Sequence, residues 1–173
     1  MVGTQLITKG HDFPNVTLVG AILADLSLNL PDFRAGERTF QLLTQVAGRA
    51  GRAEKPGEVL IQTYNPRHHS LQCARDHDAK RYLEVELKQR KVLKVPPYWS
   101  MVLILCSSPS EKRAETLAST VRGRIKKIPQ NVTIIGPLES PLKKLRNRFR
   151  WQVLLKAPEI SVLKYLRTEI SGA

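Results

Sequence analysis

Residues 16–25 read VTLVGAILAD, an unbroken apolar run that closes on an acidic residue, Asp25. Such a run suits a strand covered on both faces, as strands are in parallel sheets. A second stretch, EVLIQTY at 58–64, has the same character and is closed by Asn65 and Pro66. Between the two, Phe40, Leu43, Val46 and Ala47 recur at helical spacing. Asp32 is the expected N-cap of that helix, and Gly48 and Gly51 end its pattern. Strand, helix and strand with tight punctuation predict part of an α/β sheet domain.

Outward from this unit the character changes. Over 69–95, Leu71, Ala74, Leu83, Leu87 and Leu93 sit among many charges, which predicts one long amphipathic helix. Pro96 and Pro97 cannot continue it, so the domain boundary is placed there. Beyond lie a strand at 99–106 (WSMVLILC) and a helix at 110–128 opened by Ser110, with Leu117, Val121, Ile125 and Ile128 on one face. A strand starting with VTII at 132–135 and ending at Gly136 and Pro137, a strand at 149–156 (FRWQVLLK) and a helix at 159–170 follow. The expected organisation is α/β throughout: a parallel-sheet domain over 1–68, a connecting helix over 69–95 and a small α/β domain over 96–173.

Charge divides the chain as well. Of the net +13, residues 1–74 contribute 7 Lys/Arg against 6 Asp/Glu, and residues 75–173 contribute 21 against 9. A strongly basic half predicts a polyanionic partner, nucleic acid before others. No apolar run approaches the roughly 18 residues of a membrane span, and the N-terminus lacks a basic-then-apolar signal pattern. The chain is therefore read as soluble and cytoplasmic, with no membrane partner. Two cysteines, Cys73 and Cys106, fit a reducing compartment and are too few for a disulfide framework or a mainly thiolate zinc site.

Three segments can carry chemistry. QVAGRAGR at 45–52 places Arg49 and Arg52 where a helix breaks between two strands. Guanidinium groups fork onto phosphate oxygens and neutralise charge on a transferring phosphoryl group. GTQLITKGHDFPNVTLVG at 3–20 sets Thr8, Lys9, Gly10 and Asp12 at a turn before a buried strand, where hydroxyl and backbone N–H groups suit a phosphate. PLKKLRNRFRWQ at 141–152 leads Lys143, Lys144, Arg146, Arg148 and Arg150 into a strand. With a period of two, Arg148, Arg150 and Gln152 share one face, and Phe149, Trp151 and Val153 the other. That pattern fits a charged hairpin on a phosphate backbone with its aromatics in the core, the alternative for Trp151 being to stack on a base. Cys73 and His77 stand four apart, but no second pair nearby completes a metal site.

The stretch 3–20, together with ADLSLNLPDFRAGERTFQLLTQVAGRAGR at 24–52, resembles motifs V and VI of superfamily 2 helicases. LNLPDFRAGERTFQLL, VPPYWSMVLI and RFRWQVLLK narrow the resemblance to the PriA family of replication-restart helicases, also called primosomal protein N′. The resemblance implies the end of a second RecA-like lobe followed by a C-terminal α/β domain that lacks its last strand. It implies a 3′-to-5′ ATP-dependent DNA helicase that recognises stalled forks and promotes primosome assembly.

In that frame Arg52 is the arginine finger, and Arg49 and Gln45 face ATP with it. Gly10 and Asp12 lie at the nucleotide and Thr8 and Lys9 toward DNA. Lys143, Lys144, Arg146 and Arg150 belong to DNA, and Arg148 and Gln152 to the acidic tail of single-stranded DNA-binding protein. The implied cofactors are ATP and Mg in the intact protein and zinc in an upstream insertion. No G-x-x-x-x-G-K-[ST] phosphate loop is present, so this chain is expected to be a fragment, to bind none of these alone and not to hydrolyse ATP by itself. A non-enzymatic nucleic-acid-binding module and another superfamily 2 translocase remain the alternatives.

Overall fold

The computed structural model describes residues 16–48, 50, 57–126 and 128–171. The chain forms two compact units, Met1–Lys88 and Gln89–Ala173. In the first, β1 (Leu18–Ala21) and β2 (Glu58–Ile61) pair in parallel, with Leu18 opposite Glu58 and Ala21 opposite Ile61. A parallel pair needs a crossover, and α1 (Ala35–Ala47) supplies it. The predicted strand–helix–strand order is therefore present, though both strands are shorter than the apolar runs.

The first run bends after Ala21, and Leu23 takes a positive φ of 51°. The chain then makes a short 3-10 turn, Leu26–Asn29. Asp25 is buried there for a reason: its Oδ2 accepts the Tyr64 N–H at 3.1 Å, closing the end of β2. Burial on both sheet faces, as expected from the run, is not found. Ala21 and Ile61 pack with Leu43, Phe40, Leu71 and Ala74, whereas Leu18 and Leu60 on the opposite face are exposed. Among the described residues α1 and its neighbours cover one side only. The N-cap position of α1 is Arg34, not Asp32. Asp32 acts two residues earlier, where its Oδ1 accepts the Arg34 N–H at 2.9 Å and its Oδ2 pairs with Arg38 at 2.9 Å.

The long helix expected over 69–95 is two helices, α2 (His69–Arg75) and α3 (Ala79–Leu93). His77 takes a positive φ of 52° between them, and Asp78 opens α3 by accepting the Arg81 N–H at 2.9 Å. Leu71 and Ala74 of α2 belong to the core of the first unit. The division at Lys88 and Gln89 thus falls within α3, so the first unit extends past residue 68.

The second unit is a three-stranded antiparallel sheet in the order β3-β5-β4. β3 is Ser100–Ser108, β4 Thr133–Leu145 and β5 Arg148–Ala157. Helix α4 (Glu111–Arg124) connects β3 to β4 and begins where the sequence placed it, with Ser110 Oγ accepting the Arg113 N–H. It ends at Arg124 rather than 128, and Ile125 drops into the core just beyond it. Helix α5 (Ile160–Ser171) closes the unit. Cys106, Ala118, Ile125, Val153, Leu155, Ala157, Leu163 and Leu166 form its core, with Trp151 packed against it. Trp151 is therefore half-buried against the core, on the side its alternation with Val153 predicts.

β4 does not stop at Gly136 and Pro137. It shifts register there, from Ile135 opposite Leu154 to Leu138 opposite Gln152, and continues to Leu145. A proline without an N–H to donate is tolerated at such an irregularity on an edge strand. Gly136 is required: it has φ +109°, and a Cβ on it would lie 2.6 Å from the Gln152 carbonyl oxygen.

Candidate nucleic-acid interface

The basic segment 141–152 folds as the end of the β4–β5 hairpin. Its tip is Arg146 and Asn147, with φ of 48° and 59°. Two consecutive left-handed residues make the tight turn whose twist matches paired strands. Leu145 lies opposite Arg148, and Lys144 opposite Phe149.

Opposed residues share a face, so the hairpin has two distinct sides. Phe149 and Trp151 stand on the side of the core, and Lys144 Nζ lies 4.7 Å from the centre of the Phe149 ring. Arg148, Arg150 and Gln152 alternate on the other side, as the period of two predicts. Arg148 reaches across to β3, where its Nη2 donates to the Ser107 carbonyl at 2.8 Å and its Nε to Ser107 Oγ at 3.4 Å. Both acceptors are neutral, so the arginine is oriented without losing its charge.

Lys143 is not brought to that side. Its Nζ lies 2.7 Å from Glu111 Oε1 and 3.1 Å from Glu139 Oε1. The hydrogen bonds to Glu111 and then Glu139 hold its ammonium above the ordinary lysine pKa. Beyond Gln152 the arginine side of the sheet is apolar: Leu103, Leu105, Ile135 and Leu138 are exposed there, around the half-buried Leu154. At its far end Lys156 Nζ donates to the Leu93 carbonyl at 2.7 Å. Burial, followed by the nearby charge of Lys94, lowers the Lys156 pKa.

Of the residues read as facing nucleotide, only Gln45 lies among the described ones; it is exposed in the last turn of α1. Gly10, Asp12, Arg49 and Arg52 lie outside the described residues, as do Thr8 and Lys9 on the DNA side.

Sequence reading missed the partners that sort the cations: Ser107, Glu111 and Glu139 all come from outside the basic run. Only Glu139, four residues before Lys143, stood near enough to signal itself. It also missed the aromatic stack in the first unit. Phe40 and Tyr82 stack at 4.1 Å, and His69 follows Tyr82 at 5.6 Å. His69 Nε2 lies 3.1 Å from the buried Glu86 Oε2. His68 caps α2: its Nδ1 accepts the Ser70 N–H at 3.2 Å.

A small antiparallel sheet backed by two helices, bearing a one-sided basic hairpin, defines the second unit. Residues 91–173 match the family described as primosomal protein N C-terminal domain. Along nearly its whole length it is similar to proteins named replication restart protein PriA. It is 43% identical over 98% of its residues to that of Bacillus subtilis, covering 21% of that protein. It is 43% identical over 91% to that of Synechocystis, covering 19%, and 40% identical over 99% to that of Rickettsia conorii, covering 26%. The chain thus spans about a fifth to a quarter of the length of these relatives. Among the described residues, no helix is long and apolar enough to cross a membrane.

Proposed function

We propose that the chain serves as the C-terminal part of a PriA-type ATP-dependent DNA helicase that moves 3′ to 5′, recognises stalled forks and promotes primosome assembly in the cytoplasm. The observation that supports its DNA-binding half is the hairpin arm, with Arg146 at the tip and Arg150 behind it. Neither arginine has a carboxylate partner among the described residues. Such an arm presents fixed positive charge to a phosphate backbone, and its binding is steeply salt-dependent because each contact releases counterions. Titration of labelled forked DNA with the chain at several salt concentrations tests this. Tight binding that weakens steeply with salt is expected, and absence of binding at low salt overturns it.

The ATP half rests on the resemblance and on the position of Gln45. ATP and Mg would be held jointly with a lobe outside this chain, and zinc by a segment upstream. Arg52 is assigned to meet the γ-phosphate. In the intact protein Arg52→Ala is expected to abolish ATP turnover while keeping fork binding; normal turnover rejects the assignment.

Arg148 and Gln152 stand beside the apolar side of the sheet. That juxtaposition fits a segment carrying carboxylates next to apolar side chains, and the acidic tail of single-stranded DNA-binding protein is the proposed occupant. A tail peptide that binds the wild-type chain and an Arg148→Ala, Gln152→Ala variant equally well removes this assignment.

A further inference from the structure

The five cations between Lys143 and Arg150 are not equivalent. Lys143 sits between two carboxylates, from Glu111 at the first position of α4 and from Glu139 earlier on its own strand. Two negative charges around one positive leave that spot net acidic, and a phosphate approaching it meets repulsion. The pairing of the hairpin is also interrupted there. Glu139 lies opposite Trp151 and Lys144 opposite Phe149, so residues 140–143 face Arg150 alone. Strand hydrogen bonding cannot hold four residues against one. The bond from Lys143 to Glu111 ties this bulged stretch to the start of α4. On the other side, Arg146 and Arg150 have no carboxylate partner among the described residues, and Arg148 is held by neutral oxygens of Ser107.

We infer that Lys143 is a positioning residue: it pins the bulged strand to α4 and so aims the arm, while Arg146 and Arg150 meet the phosphates. The inference rests on the DNA-binding reading of the hairpin, and it reassigns one residue of the basic run from contact to support. An exposed ion pair of this kind is modest, so the loss expected on removing it is small, about two- to fivefold in affinity. A lost phosphate contact, by contrast, changes how steeply binding depends on salt, by about one per contact.

The test titrates labelled forked DNA with the 173-residue chain as wild type, Lys143→Ala, Lys143→Arg and the Arg146→Ala, Arg150→Ala pair, each over a range of salt. The arginine pair is expected to lower the salt slope by about two. Lys143→Ala is expected to weaken binding about two- to fivefold at unchanged slope, and Lys143→Arg to restore it. Hydrogen exchange should quicken in residues 140–145 of Lys143→Ala and stay unchanged in β3. A slope lowered by about one in Lys143→Ala overturns the inference, since Lys143 would then touch phosphate. Affinity and slope both unchanged in that variant overturn it too, since nothing is then positioned. An arginine pair with the wild-type slope overturns the underlying reading instead, because the arm would then not be where DNA binds.

Discussion

The first unit carries 11 Lys/Arg against 10 Asp/Glu, and the second carries 17 against 5. The first places part of its charge inside: Asp25 and Glu86 are buried, one closing a strand end and the other against His69. The core of the second is made of aliphatic side chains and one cysteine, and its cations lie outside it. In the first unit polar groups help to build the fold, because a buried carboxylate must keep its partners. In the second, the arginines of the hairpin are separable from the fold, whereas Lys143 ties the bulge of β4 to α4. The sheet would form without the arginines of the hairpin, which leaves them available to a ligand.

That contrast can be broken or sharpened by substitution. Leu155 is fully buried in the second core, so Leu155→Ala is expected to cost that unit about 2–5 kcal/mol. Both tryptophans, Trp99 and Trp151, lie in the second unit, so denaturant unfolding followed by tryptophan fluorescence reads this loss directly. A loss below about 1 kcal/mol would mean that the core is not what holds the sheet.

The Arg146→Ala, Arg150→Ala pair should leave the same unfolding curve within about 0.5 kcal/mol of wild type while changing the salt dependence of DNA binding. A large destabilisation would show that charge and fold are coupled in the second unit after all.

The smallest effect concerns the first unit. Burial, with the neighbouring His69 and against the pull of Glu86, lowers the pKa of His68 below its ordinary 6.5. The neutral ring is the one whose Nδ1 accepts the Ser70 N–H. The unfolded chain takes up this proton near 6.5, whereas the folded chain stays neutral to lower pH. The contribution is therefore fully present above 6.5 and declines as pH falls from there through the folded value. His68→Asn keeps a capping oxygen and removes the titration, so it should flatten this part of the pH dependence of α2, read by amide exchange. A profile identical to wild type would assign the pH response to another group.

Much of this was legible in one dimension. The apolar runs at 16–25 and 58–64 marked the parallel pair, Ser110 marked the start of α4, and alternation separated Trp151 and Val153 from Arg148 and Arg150. These readings rest on local rules, the spacing of side chains along a strand or helix and the chemistry of a cap, and those rules need no knowledge of distant residues. Errors came where a distant partner intervened. The helix expected over 69–95 breaks at His77 because Leu71 and Ala74 turn to the first core while Asp78 starts a new helix. β4 runs past Gly136 and Pro137 because β5 offers it a partner on both sides of the register shift.

By itself, then, the amino-acid sequence determined the class of the fold, the order of its main elements, the concentration of positive charge toward the C-terminal half and the family resemblance that the relatives share. Only the tertiary structure decided which cations remain uncompensated. Glu111 lies thirty-two residues before Lys143 in the chain and reaches it only because α4 and the bulge of β4 meet. Ser107 orients Arg148 across a strand pairing that joins residues far apart in sequence. Electrostatic attraction falls with distance through space, not along the chain, so the charge that a ligand would meet is set by folding.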